Sequence, residues 1–224
     1  LKKEFTLKTF EGMLEKVVFW NSLAGNDQND ESLIPVYLQL AREEFFGQDE
    51  FLQGWFTGDK VMQADGLADS VFTSGFLTVL TGSDGNSSKS EEVYRDLYST
   101  EEVVGEYSDT LINPHGYTLL REDLYALCLK MSEIMDVECV FNAVYESNMT
   151  KYVHEAQLGD FDLDEEVRII EEQNRYSGVD YHKVGSYYIF TAKQDVQSGV
   201  VFDKPKIVKP STFKEVQGLE QFIY

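Results

Sequence analysis

Only two of the 224 residues are cysteines, Cys128 and Cys139. Both lie in apolar stretches of helical character, so they read as reduced core thiols rather than a disulfide framework, with one bridge between them as the alternative. No run approaches the ~18–20 apolar residues of a membrane span. Basic residues are scarce: 19 Lys and Arg stand against 40 Asp and Glu, a formal charge of −21. That balance argues for no nucleic acid as a partner, because a phosphate backbone needs a basic footprint. It argues for no membrane partner by the same sign rule at anionic surfaces. Leu1-Lys2-Lys3-Glu4-Phe5 leads into no apolar run and reads as no signal peptide, which gives a cytoplasmic expectation. A chain opening on Leu1 rather than methionine is expected to be processed or to continue upstream.

Against these absences stand 15 Phe, 13 Tyr and a hydrophobic content of 42%. Such a composition excludes a disordered acidic tail. The length suits one domain, or one with an appendage, and buries a core without crosslinks. A cation-binding enzyme, a nucleic-acid mimic and a soluble acidic protein remain.

Apolar residues at three- and four-residue steps, Phe10, Met13, Leu14, Val17 and Val18, predict a helix over 10–22. A second helix is expected from Leu33 to about Trp55, with Pro35 in its first turn, and a third from Val61 to Leu80. Thr57-Gly58-Asp59 punctuates the two, and a polar loop follows over 82–90. The stretch 83–117 is polar and poorly periodic and reads as an insertion, with a short helix over Glu91–Tyr98 as the alternative. Helices are expected over 119–135 and 137–148, and an acidic surface helix over 160–175. Gly185–Phe190 and Gly199–Phe202 then read as a β-hairpin before an extended tail. The fold expected is mainly α, a helical bundle over 1–175 with a small C-terminal β-hairpin appendage over 176–224.

Carboxylates cluster on the second and third helices as Glu43-Glu44, Asp49-Glu50, and Asp65 with Asp69. Asp65 and Asp69 are four apart, about 40° from eclipsed on one helical face. Two antiparallel helices joined by a short Gly-Asp turn would set Glu43, Glu44 and Glu50 against that pair. Inward carboxylates on facing helices are a common way to build a metal site, and Mg²⁺ suits hard oxygen ligands. Further along, Asn148 and Lys151 end an amphipathic helix. Lys151 reads as a helix-dipole partner or as a phosphate ligand with Asn148 beside it.

Residues 40–82 resemble the all-α nucleoside triphosphate pyrophosphohydrolases, the MazG-like and phosphoribosyl-ATP pyrophosphatase-like group, above all its phage members. That group carries a Glu-Glu-x-x-Glu helix, a Gly-Asp turn and a helix bearing Asp or Glu at matching spacing. This chain offers Glu43-Glu44, Asp49-Glu50, Gly58-Asp59 and Asp65-Gly66-Leu67-Ala68-Asp69. Ser147-Asn148-Met149-Thr150-Lys151 is similar to the group's Ser-Asn-Met-Ser-Lys segment, and Lys206–Phe213 to its Lys-Pro-containing C-terminus. One departure stands out: Gly47 occupies the position of the third glutamate. On an unbroken helix Glu43 and Glu50 are offset by about 20°, whereas Glu44 and Glu50 are splayed by roughly 120°. Either Glu43 is the inward ligand, or Gly47 breaks the helix and resets its face.

The resemblance implies Mg²⁺-dependent hydrolysis of a nucleoside triphosphate (NTP or dNTP) to monophosphate and pyrophosphate, with Mn²⁺ as a substitute cation. Glu43, Glu44, Glu50, Asp65 and Asp69 would hold the metal, and Glu43 or Glu44 would take the proton of the attacking water. Asn148 and Lys151 would bind the phosphates, and Trp20, Asn21 and Trp55 are candidates for the base pocket. It also implies a homodimer or homotetramer acting in the host cytoplasm of a phage. Two rivals have different signatures. A non-catalytic acidic interaction protein, a nucleic-acid mimic or inhibitor of a basic partner, would spread its charge over an exposed surface. Asp160, Asp162, Asp164 and Glu171 have EF-hand spacing, but Glu165 stands where a glycine is required.

Overall fold

Helix α4, Lys60–Leu80, is the element around which the first part of the chain is built, in a computed structural model that describes residues 4–82, 91–113, 117–159 and 161–224. Asp59 starts α4 by accepting from the amides of Val61 and Met62, each at 3.0 Å. Apolar side chains around most of its circumference are buried, among them Leu67, Val71, Phe76 and Leu77. A helix apolar on every side needs neighbours on every side. They are α1 (Leu7–Leu23), α2 (Ile34–Phe46), α3 (Phe51–Thr57) and α7 (Tyr117–Met131). The expected loop at 83–90 lies outside the described residues.

The contacts divide the chain into two compact units, 1–144 with 217–224, and 145–216. In the first, α5 (Glu91–Leu97) and α6 (Thr100–Ile112) precede α7, and α8 (Val137–Met149) runs to the division and past it. Within the stretch read as an insertion, 91–112 is largely helical and packs into the core of this unit. Val103, Val104, Tyr107 and Leu111 of α6 are buried at helical spacing, and Tyr94 of α5 is 1% exposed. Ser99 and Glu102 form a capping box that starts α6. Arg42 of α2 donates to the carbonyls of Leu111 (2.7 Å) and Ile112 (3.2 Å), closing the other end of α6. The last residues return to this unit, where the Tyr224 amide donates to the Ile134 carbonyl at 2.8 Å.

The second unit holds a five-stranded antiparallel sheet, which corrects the expectation of a simple hairpin. The hairpin is there as β4 (Tyr187–Asp195) and β5 (Val200–Ile207). Around β4 are also β1 (Tyr152–His154), β2 (Tyr176–Ser177) and β3 (Asp180–Val184). Ile189 pairs with both Tyr152 and His182, and Gln194 with both Ser177 and Val201. One edge of β4 therefore carries β1 then β5, and the other carries β3 then β2. Gly185, at φ 56°, makes the two-residue turn from β3 to β4. Helix α9 (Leu163–Glu172) covers a core of Val153, Ile170, Val179, Phe190, Ala192 and Val208. Asp162 caps α9 by accepting from the Asp164 and Glu165 amides. The EF-hand spacing is thereby spent on a helix start, and residues 163–172 are helical where a calcium loop would be irregular. Asp160 lies outside the described residues.

Candidate functional site

The single helix expected over Leu33–Trp55 is two helices. Gly47 is the C-cap of α2, with ψ 172°, and Glu50 is the N-cap of α3. A Cβ at Gly47 would collide with the Glu43 carbonyl oxygen and meet Glu50 Cγ at 3.0 Å. Asp49 takes a left-handed φ of 64° in the same turn. Of the two alternatives for Gly47, the structure has the break. Its consequence is that Glu50 is no longer tied to the helical phase of Glu43 and Glu44.

Glycine also brings α3 onto α4. A Cβ on Gly66 would lie 2.7 Å from Phe51 Cα, and one on Gly54 would lie 2.8 Å from the Gln63 amide nitrogen. Gln63 Nε2 donates to the Gly54 carbonyl at 3.0 Å across the same crossing. Gly66 lies between Asp65 and Asp69 in sequence, and Phe51 follows Glu50. The close backbone approach therefore sets Glu50 beside both aspartates. All three carboxylates are half-buried. The Glu50 carboxyl is pushed up to about 7, by burial first and then by the negative charges of Asp69, Asp65 and Asp49. Asp49 is a contributor that the spacing argument did not single out for this role.

The other expected residues are distributed differently. Glu43 is exposed, and Gln39 Nε2 donates to it at 2.8 Å. Glu44, one residue on, is half-buried. Trp20 packs edge-on against Phe72, 6.0 Å between centroids, and Phe72 is three residues past Asp69 on α4. Trp55 is half-buried on α3. Asn21 is 1% exposed and its amide ties α1 to α2. It donates to the Val17 carbonyl at 3.0 Å and accepts from Asn26 at 3.1 Å and from the Tyr37 hydroxyl. Burial of that hydroxyl raises its pKa, so it stays protonated as a donor.

Asn148 and Lys151 belong to the second unit. Lys151 Nζ donates to Asn148 Oδ1 at 2.6 Å. The tail lies over this helix end: Ser147 Oγ donates to the Lys214 carbonyl at 2.7 Å, and the Lys214 amide donates to Thr150 Oγ1 at 2.9 Å. The two later sequence blocks of the resemblance, 147–151 and 206–213, are thus neighbours.

Hard carboxylate oxygens that repel one another are donors of the type Mg²⁺ takes. Among the described residues, no three His, Cys, Asp or Glu side chains are grouped so as to hold one ion. The donor chemistry fits a divalent cation. No helix among the described residues is long and apolar enough to cross a membrane. Compared with family models, curated proteins and solved structures, the chain has no match in any of the three.

Proposed function

We propose that this chain is an all-α-type nucleoside triphosphate pyrophosphohydrolase, converting an NTP or dNTP to the monophosphate and pyrophosphate. The observation that carries the reading is the Glu50 carboxyl, released by the break at Gly47 and pushed up by burial first and then by Asp69 and Asp65 across the Gly66 crossing. A half-buried carboxyl whose proton is held by burial and by two neighbouring carboxylates is a site in want of positive charge. A perturbed acid group beside specific charged partners is a recognised mark of a functional site.

Glu50, Asp65 and Asp69, with Glu44 and Glu43 from the last turn of α2, would hold Mg²⁺ or Mn²⁺. When bound, such a cation supplies neutralisation of phosphate charge and a more acidic water. The rest falls to the side chains. Glu44 is the better acceptor for the proton of the attacking water, because it is half-buried where Glu43 is exposed and engaged by Gln39. The water oxygen bonds to the α-phosphorus as the bond to the bridging oxygen breaks, and pyrophosphate leaves. Asn148 and Lys151 are proposed as phosphate ligands, through an amide donor and a point charge. Trp20 is the aromatic candidate for the base. Asn21, with its amide engaged in the α1–α2 network, would act by holding Trp20's helix end in place.

The test is a panel of NTPs and dNTPs with Mg²⁺, products resolved by chromatography. Monophosphate and pyrophosphate in equal amounts are expected. Orthophosphate release, or no turnover with any triphosphate, would remove the reading and leave the acidic interaction protein as the alternative. That alternative would instead show salt-sensitive capture of one basic partner.

A further inference from the structure

Among the described carboxylates that the proposed reaction does not use, Glu166 is more deeply buried than Asp123 (7% exposed) and Glu122 (9%). It sits on the inner side of α9 and is 2% exposed. Its Oε1 accepts from the Ser211 amide and its Oε2 from Ser211 Oγ, both at 2.6 Å. A buried carboxylate is costly unless both oxygens are satisfied, and an apolar side chain of similar size would cover the same core at less cost. The group that satisfies it is a stretch of tail, not the sheet or the helix it sits on.

Ser211 is one of two anchor points. Three residues later Lys214 is held by Ser147 and Thr150 at the end of α8. Phe213 lies between the anchors, its ring centroid 4.1 Å from Lys209 Nζ and 5.9 Å from Lys151 Nζ. Lys151 Nζ therefore has both Asn148 and the tail's aromatic ring as neighbours. Two pinned points three residues apart leave the intervening segment little freedom, so the placement of Phe213 under Lys151 depends on the Ser211 anchor.

We propose that Glu166 is a positioning residue: through Ser211 it latches the tail onto the end of α8 and so fixes the Lys151 ammonium for an anionic phosphate ligand. The proposal rests on the reading in which Lys151 contacts phosphate. It adds the residue that orders it, one that touches no ligand itself. Glu166→Gln keeps the size of the side chain but puts an NH₂ group against one of the two Ser211 donors. Ser211→Ala removes only the hydroxyl bond and is the milder variant should Glu166→Gln fold poorly.

The experiment is calorimetric titration of the full chain with inorganic pyrophosphate in metal-free buffer, alongside hydrogen exchange of 208–216. Glu166→Gln is expected to weaken pyrophosphate binding about tenfold and Ser211→Ala about threefold, with faster exchange of the tail amides. In a Lys151→Ala background, Glu166→Gln should add less than about a twofold loss, because it acts through Lys151. Fully additive losses, or faster exchange with unchanged binding, would overturn the latch and make Glu166 a structural residue only. So would a wild-type chain that does not bind pyrophosphate. Binding with the expected coupling, in a chain that turns over no triphosphate, would support the latch while removing the pyrophosphohydrolase reading.

Discussion

Gly66 on α4 faces Phe51 at the start of α3 so closely that a methyl group at Gly66 would sit 2.7 Å from Phe51 Cα. The residue before Phe51 is Glu50, and Gly66 is flanked by the two aspartates that act on it. The backbone contact and the charge cluster are one feature. Gly66→Ala should therefore be destabilising by about 1–3 kcal/mol through overpacking, despite the ~1 kcal/mol that alanine gains over glycine inside a helix. Urea denaturation gives that number. The same variant should lose Mg²⁺ binding, because α3 must shift to admit the methyl group.

Glu50 sets a pH dependence of stability whose sign follows from its upward shift. The folded protein holds this proton more tightly than the unfolded chain does, since the group moves from 4.5 to about 7. Stability is full below the unfolded value and falls as pH rises towards about 7. Glu50→Gln removes the fall. It should be more stable than wild type by about 1 kcal/mol near pH 8, after allowance for solvent screening of a half-buried group, and indistinguishable below about pH 4.5. Paired denaturation curves at the two pH values check both halves.

Cation binding should carry the same titration with the opposite benefit. A carboxylate ligand must lose its proton first, so Mg²⁺ affinity should rise through pH 7 and level off above it. Below pH 7 it should weaken by up to about tenfold per pH unit. Calorimetry across that range would show it, and Glu50→Gln should flatten the profile.

The Asn21 network predicts a structural loss. Tyr37→Phe removes a buried donor to the Asn21 carbonyl and an acceptor of Asn26 Nδ2, while Asn26 keeps its bond to Asn21. A destabilisation of about 1 kcal/mol is expected, and about 1–3 kcal/mol for Asn21→Ala, which leaves Tyr37 and Asn26 short of a partner. Chemical denaturation measures both.

The sequence shows where these features could be read and where they could not. The periodic runs of α1, α4 and α8 are legible because each buries a continuous apolar face. Helix α6 is not legible: its capping box at Ser99 and Glu102 and its buried Val103, Val104, Tyr107 and Leu111 are masked by acidic and polar residues around them. The strands β1, β2 and β3 are two to five residues long and become strands only by pairing with β4, a non-local cause that no local pattern carries. Glu44, Glu50, Asp65 and Asp69 stood out by residue type and spacing. What spacing could not give is the path at Gly47 and Asp49, where the backbone leaves the helix and turns Glu50 away from the phase of its neighbours. The signal that marks the crossing is glycine inside helical pattern, at Gly54 and Gly66, which asks for a close backbone neighbour.

The central claim is water attack on the α-phosphorus at a carboxylate-held cation. Turnover of a triphosphate in heavy-oxygen water, with the products read by mass spectrometry, tests it most directly. The heavy oxygen should appear in the nucleoside monophosphate and not in pyrophosphate, with turnover lost in Asp69→Ala while the helical circular dichroism is kept. Heavy oxygen in pyrophosphate or in orthophosphate, or unchanged turnover in Asp69→Ala, would contradict it.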